Sequence, residues 1–234
     1  MTKITWRQGA FLFTILGSVQ FIFLSTLAMW TYGGGTLINS NTTGYTFFLN
    51  YFSDLGRTQS FGNPNTVSAI LFFITLMFSS FAFAAYFIAI PGILDNNLKE
   101  IKIISILGIL NAALFGCIAL TPANLFPVIH DLIVFITFVL SFIVSCLLYS
   151  LFKNRLATPR FYYLIFLVFS CLIAFYGLVT LITTLFPEEY TDISLLLRVI
   201  MQKIVIYYLI ASFFIHGLGA LKNYPIVVIF GKTG

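Results

Sequence analysis

Residues 66–90 read TVSAILFFITLMFSSFAFAAYFIAI, and this stretch decides the fold. It holds no Asp, Glu, Lys or Arg. About 20 consecutive apolar residues in a helix are enough to cross the hydrocarbon core of a bilayer. Asn63-Pro64 precedes the run and Pro91-Gly92 follows it, so helix-breaking residues stand at both ends. The stretch is therefore expected to be a membrane-spanning helix. In water, a chain with this much apolar surface would have too few polar residues to cover it.

The same pattern recurs along the chain. Apolar runs occupy Gly9–Tyr32, Ile103–Leu120, Val128–Phe152, Phe161–Phe186 and Leu195–Leu221. With Thr66–Ile90 this makes six spans, and the prolines fall at the run boundaries, Pro225 closing the last. The composition agrees. Of 234 residues 60% are hydrophobic and 8% are charged, about a third of the charge content of a soluble domain. Mean hydropathy is +1.03. The expected fold is all-α: one polytopic transmembrane bundle of six helices filling residues 1–234, a multi-pass protein of the cell membrane. Soluble enzymes, disordered chains and disulfide scaffolds are excluded. The first run is longer than the 7–15 residues of a signal-peptide core, so it is read as an uncleaved span.

Orientation follows from the basic residues. With both termini cytoplasmic, Lys3, Arg7, Lys99, Lys102, Lys153, Arg155, Arg160, Lys222 and Lys232 lie inside, nine of twelve. Arg57, Arg198 and Lys203 are the exceptions. Asp95 and Glu100 lie inside, while Asp54, Asp131, Glu188, Glu189 and Asp192 fall outside or at the outer boundary. This makes residues 33–65 a long first extracytoplasmic loop. It opens with Gly33-Gly34-Gly35 and becomes aromatic in its second half, which suits a lid on the bundle. Long connections of this kind are usually functional or disordered. Asn41-Thr42-Thr43 is a glycosylation sequon on the same side.

Within the spans, Gly108, Ala112 and Gly116 recur every fourth residue with Asn111 beside them, a small-residue face for helix packing. Cys117, Cys146 and Cys171 lie in apolar runs with no C-x-x-C spacing, so neither a disulfide framework nor a zinc site is indicated. The twelve basic residues are too dispersed for a nucleic-acid footprint. There is no H-E-x-x-H and no G-x-S-x-G. Gly231-Lys232-Thr233 is not a phosphate loop, because Ile226 stands where the motif needs glycine. No cofactor and no metal site are expected.

The candidate site lies on the outer side. Lys203 sits one to two turns into the sixth span, where a lysine costs roughly 2.5–3.5 kcal/mol at mid-membrane depth. It is expected to snorkel outward or to pair with Asp54 or Asp131. His130 and Asp131 open the fourth span but point about 100° apart on a helix. Asp54, Asn63, His130, Asp131, Gln202 and Lys203 are thus the candidate ligand-binding residues, with a lipid or amphiphile headgroup as the expected partner. The same contacts would also serve to fix helix register and tie the loop down. Two alternatives stand beside this: an intramembrane lipid hydrolase or transferase using His130 with Asp54 or Asp131, and a small-solute transporter. His216 lies about 20 Å away at ~1.5 Å per residue and is read as an interfacial residue near the cytoplasmic end.

Asn50-Tyr51-Phe52-Ser53-Asp54-Leu55-Gly56 followed by Asn63-Pro64 resembles the loop motif of a prokaryotic six-span membrane family known only as a domain of unknown function. Thr121-Pro122, Phe126-Pro127 and His130 are similar to that family's third loop and fourth-span opening. Gln202-Lys203 stands where the family often has a polar residue followed by arginine; here lysine, a point charge, replaces the bidentate fork. The loop motif is also distantly similar to the DRAM/FRAG/SFK membrane proteins, which are linked with lipid, sterol or GPI-anchor handling. The resemblance implies six spans and a lipid connection, and supplies no activity.

Overall fold

The computed structural model describes residues 5–94, 99–154, 158–186 and 191–230. Side chains are described at 5–92, 99–154, 158–186 and 193–222. The expectations made for Lys3, Asp95, Arg155, Pro187, Glu188, Glu189 and the 231–233 tripeptide lie outside the described residues, as does the Asp192 side chain.

Seven α-helices follow one another: α1 (Trp6–Trp30), α2 (Thr66–Ala89), the single turn α3 (Pro91–Leu94), α4 (Lys99–Leu120), α5 (Pro127–Lys153), α6 (Arg160–Leu185) and α7 (Thr191–Phe230). All except α3 are long and apolar enough to span a membrane, α7 over Ile193–Lys222. Six spans are therefore present, as the apolar runs indicate. Pro225 does not close the last helix. The backbone stays helical through it to Phe230. A proline inside a helix forfeits one backbone hydrogen bond, which disfavours the helix there without forbidding it.

Neighbours in the chain are neighbours in space. α1 packs on α2, α2 on α4, α4 on α5, α5 on α6 and α6 on α7, and α7 returns to α1. The result is a closed ring of six helices. Close approach is set by small residues. Gly17 of α1 faces Ala82, and Gly108 of α4 faces the Phe87 ring, each with no room for a Cβ. Gly116 lies against Ser80, whose hydroxyl donates to the Ala112 carbonyl at 2.7 Å. The small-residue face of α4 is thus a seam with α2. Asn111, on another side of α4, donates to Ser141 of α5 at 2.9 Å. Across α1 and α2, Gln20 donates to the Thr75 carbonyl at 3.0 Å and to Ser79 at 2.9 Å. In lipid such contacts supply the association that apolar burial cannot.

The ring interior is aromatic in both halves. One cluster joins Phe11, Tyr86, Phe87, Ile104, Val144 and Leu148. The other joins Phe21, Phe72, Phe83 and Phe115 with two loop residues, Phe52 and Leu55. Of the described basic residues, Arg7, Lys99, Lys102, Lys153, Arg160 and Lys222 lie at the end of the ring away from the loop, because their helices begin or end there.

Candidate functional site

The long loop folds down onto its end of the ring. Gly34 and Gly35 take positive φ (100° and 82°), which an L side chain resists, and so the triple glycine turns the chain sharply after α1. Asn65 then ties the two ends of the loop together. Its side chain accepts from the Gly33 amide at 2.9 Å and donates to the Arg57 carbonyl at 2.7 Å. Between them lie a 3-10 turn, Phe52–Gly56, and a two-stranded hairpin, β1 (Gln59–Ser60) against antiparallel β2 (Asn63–Pro64). Asn41 of the sequon is exposed on this loop.

The 3-10 turn is the plug of the ring. Phe52 is 1% exposed and stacks on Phe21 at 5.5 Å, with Phe72 and Tyr207 at 5.6 and 5.7 Å. Its amide donates to the Gln202 side-chain oxygen at 2.8 Å, a direct tie from loop to α7. One residue on, the Lys203 ammonium donates to the Asn50 carbonyl. Lys203 is 2% exposed, and the Tyr45 and Phe47 rings stand 5.4 and 5.0 Å from its nitrogen. Lys203 therefore does not snorkel. Nor does it form an ion pair with Asp54 or Asp131, although the charge of Asp54 is felt at its nitrogen. Asp54 is held by nearer partners. Its carboxylate accepts from Arg57 at 2.7 Å and from the Tyr51 amide at 2.8 Å. Arg57 is three residues away on the same turn, whereas Lys203 must reach across from α7.

Asn50 is the hub that motif reading passed over as a partner. Its side chain donates to the Gly35 carbonyl at 2.9 Å and to the Tyr32 hydroxyl at 3.1 Å, while its carbonyl receives both Lys203 and the Tyr45 hydroxyl. The signal was present as the first residue of the N-Y-F-S-D-L-G element. Burial pushes the Tyr32 hydroxyl up to about 12 and Tyr45 well above its ordinary value, so both stay protonated donors.

The other candidate residues lie apart from this knot. Asn63, in β2, donates to the Ser40 carbonyl at 3.1 Å. Asp131 is exposed, one residue from buried His130, as the 100° offset requires. It is close enough to Tyr51 to be felt there, where burial is the main cause that raises the phenol and Arg198 opposes it. His130 hydrogen-bonds neither Asp54 nor Asp131. Its Nδ1 meets the Thr121 carbonyl at 2.7 Å, across the turn between α4 and α5. The structure thus brings Gln202 and Lys203 of α7 against the loop segment that holds Asp54 and leaves His130, Asn63 and Asp131 apart from them.

His130 lines a cleft of about 220 Å³ between the 3-10 turn, α2 and the α4–α5 connection. Its polar wall is His130, Ser53, Thr58 and Thr66, and its apolar wall includes Ile70, Phe72, Phe73 and Ile118. Ile70 and Phe73 are also exposed on the outside of the ring, so the cleft opens toward the lipid. Thr58 is braced by Asn124, which receives its amide at 3.0 Å and donates to its hydroxyl at 2.8 Å. A larger groove of about 690 Å³ runs between α1 and α7, walled chiefly by Val19, Ile22, Phe23, Trp30 and Phe214. Among the described residues no group of three His, Cys, Asp or Glu could hold a metal ion.

At the opposite half of the ring, His216 is buried and not interfacial. It stacks on Phe166 at 4.2 Å, with Phe152 and Tyr162 around it. It lines a small cavity of about 30 Å³ with Asn111, Ser141, Ser145 and Ser212. The Asn111 Oδ1 and His216 Nε2 atoms are buried there without a hydrogen-bond partner.

The chain matches no protein-family model, no curated protein and no solved structure.

Proposed function

We propose that this integral membrane protein binds a lipid or amphiphile, without chemistry, at the loop end of the helix ring. One observation carries the reading: the cleft beside His130. It has hydrogen-bonding side chains at the loop end and aromatic and aliphatic ones below, and its rim opens among lipid-facing residues. That sequence of surfaces matches a molecule whose polar head stays near the interface while its tail remains in hydrocarbon. Asp54, Gln202 and Lys203 serve the site through the loop. They clamp the turn whose Ser53 and Gly56 form one wall of the cleft. The distant similarity of the loop motif to the DRAM/FRAG/SFK proteins points the same way.

In this reading the loop end faces the extracytoplasmic side of the cell membrane. Supporting it, six of the described basic residues gather at the other end, which the positive-inside rule assigns to the cytoplasm.

The test is native mass spectrometry of gently purified protein with identification of retained lipid. His130→Ala and Ala119→Trp, the second filling the cleft from α4, are each expected to lose a lipid that the wild type retains. If both variants remain folded and carry the wild-type lipid at wild-type occupancy, the cleft is not the site.

A further inference from the structure

The cleft also carries information about the head it would accept; this inference rests on the lipid-binding reading above. His130 is 4% exposed, and its Nδ1 is committed to the Thr121 carbonyl at 2.7 Å. A carbonyl only accepts, so Nδ1 carries the proton, and in the neutral ring Nε2 is left as an acceptor. Nε2 makes no hydrogen bond among the described residues and is not among the buried unpartnered atoms, so it is reachable from the cleft that His130 lines. What it lacks is a donor.

The neighbouring polar groups are hydroxyls. Ser53 and Thr66 have no hydrogen-bond partner of their own among the described residues, and the Thr58 hydroxyl accepts from Asn124 with its own proton free to donate. These groups can donate or accept as a guest requires. Among the described residues no Asp, Glu, Lys or Arg lines the cleft. A phosphate head would therefore enter without an arginine or lysine to meet its charge, and a head ammonium would enter without a carboxylate. Burying either unpaired is costly. Asp54 and Arg57, which flank Ser53, Gly56 and Thr58 in sequence, are spent on each other at 2.7 Å, and Asp131, next to His130, is exposed about 100° away around α5.

We infer that the cleft selects an uncharged, hydroxyl-bearing lipid, whose hydroxyl donates to His130 Nε2 while its chains lie along Ile70, Phe73 and Ile118 toward the bilayer. A diacylglycerol has this chemistry. Ser53 and Thr66 complete the hydrogen bonding of that hydroxyl and of the adjoining ester oxygens.

The experiment uses the delipidated full chain in detergent, incubated with equimolar dioleoylglycerol and dioleoyl phosphatidate and read by native mass spectrometry. The wild type is expected to retain dioleoylglycerol at least tenfold over phosphatidate. His130→Phe is expected to abolish the preference, and Thr66→Val, at an exposed position, to reduce it about threefold. An unchanged thermal transition certifies that each variant is folded. A His130-dependent preference for phosphatidate would overturn the inference about the head while leaving lipid binding intact. Retention of neither lipid by the wild type would overturn the binding reading itself. Dioleoylglycerol held equally by wild type and folded His130→Phe would overturn the role given to His130.

Discussion

Replacing Lys203 with methionine is expected to loosen the loop while leaving the helix ring folded. Lys203 is 2% exposed, donates to the Asn50 carbonyl, and lies 5.4 and 5.0 Å from the Tyr45 and Phe47 rings. A hydrogen bond from a charged donor contributes about 2 kcal/mol. The two ring contacts add about 1 kcal/mol. Against this roughly 3 kcal/mol stands the desolvation of the ammonium each time the loop closes over it. Near the end of a span that cost is about 2 kcal/mol, below the mid-membrane figure. Methionine forfeits the contacts and escapes the desolvation. Loop closure therefore weakens by a net ~1 kcal/mol, or roughly fivefold in the opening equilibrium. Hydrogen exchange reads this directly at the Phe52 amide, which is protected by Gln202 at 2.8 Å only while the turn is docked. The Phe52 and Asp54 amides should exchange about fivefold faster, and amides in the middle of α2 should be unchanged. Lys203→Gln, which keeps a donor, should fall between the two. Loop exchange at its wild-type rate in Lys203→Met, or loss of protection by α2 and the loop together, would refute a loop tie made by Lys203.

Gly108→Leu should lower stability by about 1–3 kcal/mol, because a side chain there meets the Phe87 ring; thermal unfolding in detergent measures it, and Gly177→Leu, where the space is open, should change little. A water bridging Asn111 Oδ1 and His216 Nε2 is expected to fill the cavity, so Asn111→Leu and His216→Phe should each destabilise by about 1–3 kcal/mol by removing one of its polar partners. The double variant should cost less than the sum of the two, and additive midpoints would show that the cavity is dry. Burial pushes the Tyr32 phenol up from its ordinary 10 to about 12, so the stability it confers is intact below pH 10 and is lost as the pH rises through about 12. The ultraviolet titration of wild type minus Tyr32→Phe should place this phenol near 12, and a difference titrating near 10 would contradict the burial.

The number and order of the spans were legible in the sequence because a bilayer accepts only long apolar helices, and Thr66–Ile90 satisfies that rule without reference to the rest of the chain. The α4 face of Gly108, Ala112 and Gly116 was legible for a similar reason: small residues at helical spacing have few other uses in lipid. Lys203 shows where the reading ran out. Depth made it anomalous, but nothing local distinguishes an ion pair with Asp54 from a bond to a backbone carbonyl, and Arg57 had already claimed the carboxylate. His130 and Lys203 both read as outer-side polar residues, yet one faces the α4–α5 turn and the other the loop hub at Asn50. Their separation depends on helix rotation, which a nearly uniform apolar pattern does not encode. His216 was misplaced for the converse reason. It stands near a span end but turns inward onto Phe166.

Lipid photocrosslinking from inside the cleft bears most directly on the central claim. A photoreactive amino acid at Phe73, on the cleft wall, is compared in native membranes with one at Phe175, an exposed position on α6. The account predicts that Phe73 captures one lipid class far above its membrane abundance, and that Phe175 captures lipids in proportion to the bilayer. Identical bulk-lipid profiles at the two positions would contradict it.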